Sequence, residues 1–596
     1  MVLKFNDQQL QAINFNKGAC AVIAGAGSGK STVLLNRIKN LIEVHNVNQN
    51  DILTISFTRN TVNELKGKLK KMGYIDVNVG TFHSTCGKIL TDVGLDVADT
   101  KKLIKEWEVE NCFKKINPKA DVEEIKGFIG YQKNYLKSYQ DTFIQKDSKY
   151  DENELRTFFK AYEQFKQDED RYDFEDYLIE CYKLLKDNPK KHTYEYVLVD
   201  EHQDSNLVQN LLLKQLCKSG NIFCVFDYRQ AIYSFRGGNT EYCMNFDKEW
   251  KNATIINLDT NYRSKANIVN KANKFIKKYY GDYEHYSDSV PNESNKGNIN
   301  IKTYYERESE GNEVVNHIER LIKNGDKLSD ICVLYRQNSH SSYVENELKR
   351  KGIDYEISDK SSFFKRKEIL GIMSYLRLIH NPHDDSAMEN IFKLRNYPFR
   401  FFSGKLIDNI RKYSGVHNMS LFESVINMAY PEHWQQSNAN DFERNITKLR
   451  LQKDKDISLV RLIDNVVRSF ELEKFVKEKY TNEAEIDDRL NSIEVLKTFV
   501  KGNNLESFIS YAYTASTNSK RKFRKDSVKL MSVHVSKGLE FKNVFVIGIE
   551  DEKFPHERSD LLEEARLFYV AVTRPIVNLH ISQIGEDNQF VKEYLI

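Results

Sequence analysis

Six short apolar runs punctuate the first 260 residues: CAVIA (20–24), ILTIS (52–56), VNVG (77–80), EYVLVD (195–200), IFCVFD (222–227) and ATIINLD (253–259). Apolar residues in them are largely continuous rather than alternating, the mark of strands buried on both faces of a parallel sheet. Helical patterns separate the first runs, which predicts α/β units. Residues 86–185 read as mainly helical and rich in Lys, Glu and aromatics, so they interrupt the sheet before it resumes at 195. GDYEHYSDSVPNESNKGN (281–298) is polar and aperiodic and reads as a linker.

After it the plan repeats. NINIKTY (298–304) and ICVLYR (331–336) are strand-like, 367–517 is helix-like, and VKLMSV (528–533) and NVFVIGI (543–549) return to strand. The expected fold class is α/β, with two cores that each carry a helical insertion. The first core would be 1–85 with 186–280 and its insertion 86–185. The second would be 281–366 with 518–596 and its insertion 367–517.

A chain of 596 residues is too long for one core, which agrees with several domains. No apolar stretch approaches the ~20 residues of a membrane helix, and Asp7 with its Gln and Asn neighbours breaks any leader-like segment, so a cytoplasmic protein without membrane contact is expected. The eight cysteines show no C-x-x-C spacing and read as buried thiols rather than metal ligands. A net charge of +3 does not advertise a polyanion partner, so any nucleic acid would lie in a local groove.

The chemistry begins at Ala24-Gly25-Ala26-Gly27-Ser28-Gly29-Lys30-Ser31-Thr32, between a strand and a helical pattern. Glycines let backbone N–H groups converge on phosphates, Lys30 would reach the β/γ-phosphates, and the Ser31 hydroxyl would ligate Mg²⁺. A nucleoside triphosphate with Mg²⁺ is therefore expected here. VLVDEHQD supplies the acidic pair at a strand end: Asp200 to hold the metal, Glu201 to polarise the attacking water. A bare Asp-Glu can also just cap a helix, but not readily with a phosphate loop upstream.

These residues, with FDYRQAIYSFRGGN (226–239), LDTNYRS (258–264), VHVSKGLEF (533–541) and EEARLFYVAVTR (563–574), stand in an order that resembles the UvrD/Rep/PcrA-like superfamily 1A DNA helicases. FNDQQLQAI (5–13), TISFTRNTVNEL (54–65) and GTFHS (80–84) fill further motif positions, so the resemblance covers essentially the whole chain. It implies two RecA-like P-loop motor domains that clamp ATP while single-stranded DNA crosses them. By that resemblance Gln9 reads adenine, Tyr262 stacks on it with Arg37 nearby, Glu540 meets the ribose, Gln230 senses the γ-phosphate, and Arg263 and Arg574 act as arginine fingers. Phe57, Tyr233, Phe235 and Phe590 fall at base-stacking positions, and His83, Arg236, Arg336, Asn338 and His534 in or beside motifs that touch the strand.

Some positions depart from the pattern. Phe235 replaces the usual tryptophan, Phe226-Asp227-Tyr228-Arg229 replaces a glycine-and-aspartate run, and His202 stands where phenylalanine is common. In NYPFRFFSGKL (396–406), Phe401-Phe402-Ser403 occupies a turn where the family has glycines that approach duplex phosphates. Two exposed rings there are expected to favour a protein surface or a folded-back core contact, with a weak duplex grip and a need for self-association or a partner, and the basic run 520–525 is expected to be a solvated linker.

The resemblance thus implies a DNA-stimulated ATPase and helicase moving 3′→5′ on single-stranded and tailed duplex DNA, in repair, replication or recombination, with a nuclease or repair factor as a protein partner. The competing expectation is an ATP-gated DNA-sensing subunit of a nuclease-containing complex such as a phage-defence system. An unrelated P-loop kinase does not account for the paired arginine motifs.

Overall fold

The computed structural model describes the chain except for residues 1–3, 96–98, 119, 147, 189–191, 235–236, 338–339, 358–362, 365, 456, 481–482, 501, 518–525, 557–558, 586–587 and 596. Two compact units divide it: Met1–Thr303 with Ser536–Ile596, and Tyr304–Val535.

The first unit is built on the strands β1 (Cys20–Ala24), β2 (Ile52–Ile55), β3 (Asn78–Gly80), β4 (Tyr196–Val199), β5 (Ile222–Phe226) and β6 (Thr254–Leu258). They form one sheet in the order β3-β2-β4-β5-β1-β6, and every pairing is parallel. Val22 faces Val225 on one side and Ile256 on the other, so β1 is interior and wholly buried, as a continuous apolar run requires. Helix Lys30–Glu43 lays Val33, Leu34, Ile38 and Leu41 on this sheet. The loops that follow β1, β4 and β5 share the sheet's carboxyl edge, where ligands of open α/β folds bind.

Four helices, Glu106–Ile116, Val122–Asn134, Glu152–Asp168 and Phe174–Asp187, lie in the expected insertion. At their centre the ammonium groups of Lys133 and Lys166, with side chains only 5% and 4% exposed, share the carboxylates of Asp173 and Asp176. Lys133 Nζ lies 2.6 Å from Asp173 Oδ2, and Lys166 Nζ 2.7 Å from Asp176 Oδ2. Burial opposes the Lys133 charge, but the carboxylates override it and hold its pKa well above the ordinary lysine value.

The stretch expected to be a linker is largely exposed but is tethered to the first unit. Within it β8 (Val290–Pro291) pairs in parallel with β7 (Thr260–Asn261), and the Asn273 amide bonds both the N–H and the C=O of buried Ser289. Most of its polar residues are exposed, and Ser289 is its one buried anchor. The chain passes from the first unit to the second within β9 (Asn298–Tyr304).

In the second unit β10 (Ile331–Tyr335), β12 (Val528–Ser532) and β11 (Tyr355–Ile357) run parallel, with β12 between the other two. The segment 367–517 is helical as expected. Its first helix, Lys367–His380, is apolar nearly all round and lies at the middle of the array, where Tyr375 stacks on Phe470 with centroids 3.8 Å apart. In the turn 399–403 the two rings part: Phe401 is 71% exposed, whereas Phe402 folds back into the core against Phe399, the second of the expected contacts. Ser403 caps the next helix, Gly404–His417, and Arg400 is paired with Glu478. The basic run 520–525 lies outside the described residues.

The last 61 residues return to the first unit with β13 (Phe541–Glu550) and β14 (Pro575–Ile584), a parallel pair bridged by the deeply buried helix Leu561–Val572. All eight cysteines are free and buried. Among the described residues no helix is long and apolar enough to cross a membrane.

Candidate nucleotide site and nucleic-acid face

The phosphate loop is shaped by crowding. Gly27 and Gly29 have φ of 70° and 87°, the left-handed region that side chains avoid. A Cβ on Gly27 would also sit 2.6 Å from Arg263 Cβ and 2.9 Å from Asn261 Oδ1. The helix Lys30–Glu43 starts from Gly29 without a side-chain cap, so its first N–H groups remain available to an anion. Lys30 Nζ donates to Ala24 O at 3.2 Å.

The residues expected around adenine sit beside this loop in different ways. Gln9 donates from Nε2 to Ser28 O at 3.1 Å, while Tyr262 donates its N–H to Gly27 O at 2.9 Å. Asn6 donates to the Tyr262 hydroxyl at 2.9 Å, which leaves the ring 45% exposed and free to be stacked upon. Arg37 faces the core instead of the nucleotide. On the apolar side of its helix it is 2% exposed, donates to Ile13 O and Asn16 O, and lies near the rings of Phe15 and Phe223. Burial lowers its pKa to about 10.

Asp200 and Glu201 follow β4. Glu201 adopts a left-handed φ of 54°, an unfavourable conformation for a non-glycine residue and one often found where a side chain is aimed at chemistry. Burial, with Glu201 beside it, raises the Asp200 pKa to about 7. For Glu201 burial acts upward too, but Lys537, with Nζ 3.6 Å from Oε2, and Lys30 hold it below the ordinary value. Lys537 also pairs with Asp204 at 2.6 Å, and Gln203 donates to Glu201 Oε2. Burial still pushes Asp204 up to about 6.

Past β5, Asp227 accepts from Gln230 Nε2 at 2.6 Å and from Arg229 Nε at 2.8 Å. Gln230 Oε1 in turn accepts from Arg574 Nη2 at 2.7 Å. Arg574 is 1% exposed, and burial together with the nearby Arg263 lowers its pKa to about 9. Arg263 bonds Glu540 Oε2 at 2.7 Å and Thr573 O at 3.1 Å, so Glu540 is engaged by an arginine here. Phosphate loop, acidic pair, glutamine and both arginines thus converge within the first unit.

Two family models cover nearly the whole chain: the UvrD/REP helicase N-terminal domain over residues 5–251 and the UvrD-like helicase C-terminal domain over 256–586. The chain belongs to the UvrD-like DNA helicases. It is 30% identical to ATP-dependent DNA helicase PcrA of Bacillus subtilis across 97% of this chain and 82% of that protein. It is also 30% identical to DNA helicase II of Haemophilus influenzae, across 99% of this chain and 85% of the relative.

Among the residues that the sequence of this UvrD-like helicase predicts to touch DNA, Phe57 stacks on Tyr233 with centroids 5.5 Å apart and planes at 23°. Lys537 Nζ lies 5.2 Å from the Tyr233 centroid. His83 meets Phe174 edge-on, and burial with Arg59 nearby lowers its pKa. Phe57, His83, Phe174, Arg59, Lys66 and Lys126 line a groove of about 1220 Å³ between the first core and its insertion. Arg336 and His534 are half-buried in the second unit. Phe235, Arg236 and Asn338 lie outside the described residues.

Phe590 departs from expectation. It is fully buried among Phe275, Phe554 and Phe568, an apolar cluster that leaves no ring face for a base. The sequence assigns no role to Gln203, Asp204 and Lys537, and marks Asp227 and Arg229 only as departures from the family pattern beside Gln230. Each lies inside a motif already quoted, so the signal present was a charged or amide residue next to an assigned one.

Proposed function

We propose that the chain couples ATP hydrolysis to 3′→5′ movement along single-stranded DNA and separates the duplex it meets, acting in cytoplasmic repair, replication or recombination with a nuclease, a repair factor or a second copy as partner. The observation that carries this reading is the convergence of Lys30, Glu201, Gln230 and Arg574 at one sheet edge. Phosphoryl transfer is mostly positioning and charge stabilisation, and these are the groups it needs.

In this reading Lys30 and the loop amides hold the phosphates, Glu201 accepts a proton from the attacking water, and Gln230, Arg263 and Arg574 contact the γ-phosphate. Tyr262 stacks on the base beside Gln9, and Glu540 turns to the ribose. Asp200 and the Ser31 hydroxyl would hold Mg²⁺. The fit is chemical: hard oxygen donors suit that cation, and a buried carboxylate raised to about 7 is short of positive charge. When bound, Mg²⁺ would neutralise charge that develops on the phosphates. Among the described residues no group of three or more His, Cys, Asp or Glu could hold a metal by itself, so the nucleotide would complete the coordination.

We read 1–85 with 186–280 and 281–366 with 518–596 as the two motor domains, and 86–185 and 367–517 as their insertions. Bases would stack on Phe57 and Tyr233, and on Phe235, while His83, Arg236, Arg336, Asn338 and His534 hold the backbone. The test is strand separation on duplexes with a 3′ or a 5′ tail. ATP-dependent unwinding of the 3′-tailed substrate alone is expected, and DNA-stimulated hydrolysis without strand separation would overturn the helicase reading.

A further inference from the structure

Arg229 is a buried cation that the reading above leaves unused. Its side chain is 4% exposed, and Nη1 donates to Ser287 O at 3.2 Å. The guanidinium lies 5.5 Å from the Tyr228 centroid and 5.8 Å from that of Tyr569. A Cβ on Gly25 would come within 3.0 Å of Nη2, so the phosphate loop closes over its remaining side. Rings, a carbonyl and the loop leave Arg229 one orientation.

That orientation aims Nε at Asp227 Oδ1, 2.8 Å away. Asp227 is 0% exposed and its other oxygen accepts from Gln230 Nε2 at 2.6 Å. A glutamine amide can turn either end outward, and the partner at one end decides which group the other end presents. An ionised Asp227 can only accept, so it takes the Nε2 end and leaves Oε1 for Arg574 Nη2 at 2.7 Å. A protonated Asp227 could donate, and the amide could then reverse and set its NH₂ against a guanidinium. Burial favours that protonated form; Arg229 and then Lys30 oppose it and keep Asp227 below the ordinary carboxylate range.

The geometry points to Arg229 as a positioning residue for ATP hydrolysis: through Asp227 it fixes which end of the Gln230 amide meets Arg574. This rests on the proposed roles of Gln230 and Arg574. A cation buried only to hold its segment would matter for stability and not specifically for Gln230.

DNA-stimulated ATPase separates the two. The full chain is assayed as Arg229→Met, as Arg229→Lys, and as Arg229→Met with Asp227→Asn, which removes both charges and so keeps the fold where the single Met change does not. Each is measured with and without Gln230→Ala, alongside Arg574→Ala and the thermal midpoint. We expect kcat to fall roughly 10²-fold, the loss that small misplacement at a reacting centre brings, with KM for ATP little changed. Arg229→Lys should restore most of kcat. In the Gln230→Ala background the charge-free pair should bring no further loss. Full kcat in the charge-free pair, or a loss that adds completely to that of Gln230→Ala, would overturn the assignment. An Arg574→Ala variant with normal stimulated turnover would instead overturn the reading beneath it.

Discussion

Arg574 donates from Nη2 to Gln230 Oε1 at 2.7 Å across 344 positions of sequence, and both side chains are buried. A guanidinium taken from water beside a second arginine is an uncomfortable charge, which is why its pKa falls to about 9. An anion would relieve it. The arrangement stores favourable interaction for the state in which phosphate oxygens arrive, and phosphoryl transfer draws on that most as charge spreads in the transition state.

Arg574→Ala should therefore cut DNA-stimulated kcat by about 10³–10⁵, the range of an arginine finger, while ATP affinity changes far less. Arg574→Lys should recover little, because one ammonium cannot reproduce donations to Val570 O, Leu539 O and Gln230 together. A coupled ATPase assay at saturating single-stranded DNA reads both.

Glu201→Gln keeps the shape of the side chain and loses the base. Turnover should fall below a tenth of the parent rate with nucleotide binding retained, measured by a fluorescent ATP analogue. Lys30→Ala should lose both, since Lys30 supports phosphate and the Glu201 charge alike.

What could be read in advance follows the physics of each signal. The strands β1, β4 and β5 were legible because burial on both faces forces continuous apolar runs. β14 was not, because polar Asn578, His580, Ser582 and Gln583 break the run, although parallel pairing to β13 holds it. The phosphate loop was legible because glycine is needed both for φ and for space. Arg37 and Phe590 were misplaced because a motif position fixes a residue type, whereas its direction depends on the helix face and the neighbouring rings. Lys537 carries no advance signal because its partners lie 333 or more positions away, a proximity only the fold creates, whereas Asp227 lies 3 positions from Gln230 and is visible as a departure from the family pattern.

Phe57 and Phe590 give opposite expectations. Phe57→Ala should weaken binding of a labelled oligothymidylate by roughly 1–3 kcal/mol in fluorescence anisotropy, with little change in unfolding. Phe590→Ala should leave that affinity unchanged and instead reduce stability by about 3–5 kcal/mol, because it opens a cavity among Phe275, Phe554 and Phe568.

Lys133→Met leaves Asp173 and Asp176 buried with only Lys166 to balance them. Removal of one partner from a buried ionic cluster costs about 3–5 kcal/mol, so the urea midpoint should drop sharply. Asp173→Asn added to it removes the stranded charge and should restore part of the loss, which a simple packing defect would not allow.

His202 gives a pH signature. It is 0% exposed, its ring meets Phe226 and Phe246, and burial lowers its pKa from 6.5 to about 4. The folded protein keeps this imidazole neutral, whereas the unfolded chain takes up a proton as pH falls below 6.5. More protons bound in the unfolded state means that stability is fully present above pH 6.5 and is lost progressively toward pH 4, by up to about 3 kcal/mol from this residue. His202→Phe removes the titrating group and keeps an apolar ring in the same pocket. It also strands the Ser205 hydroxyl, which lies 3.2 Å from His202 Nδ1, but that penalty is the same at every pH. The urea midpoints of both proteins at pH 7.5 and pH 5 isolate the effect: the parent should lose more stability than the variant over that interval. Equal losses would mean that His202 takes up its proton without unfolding.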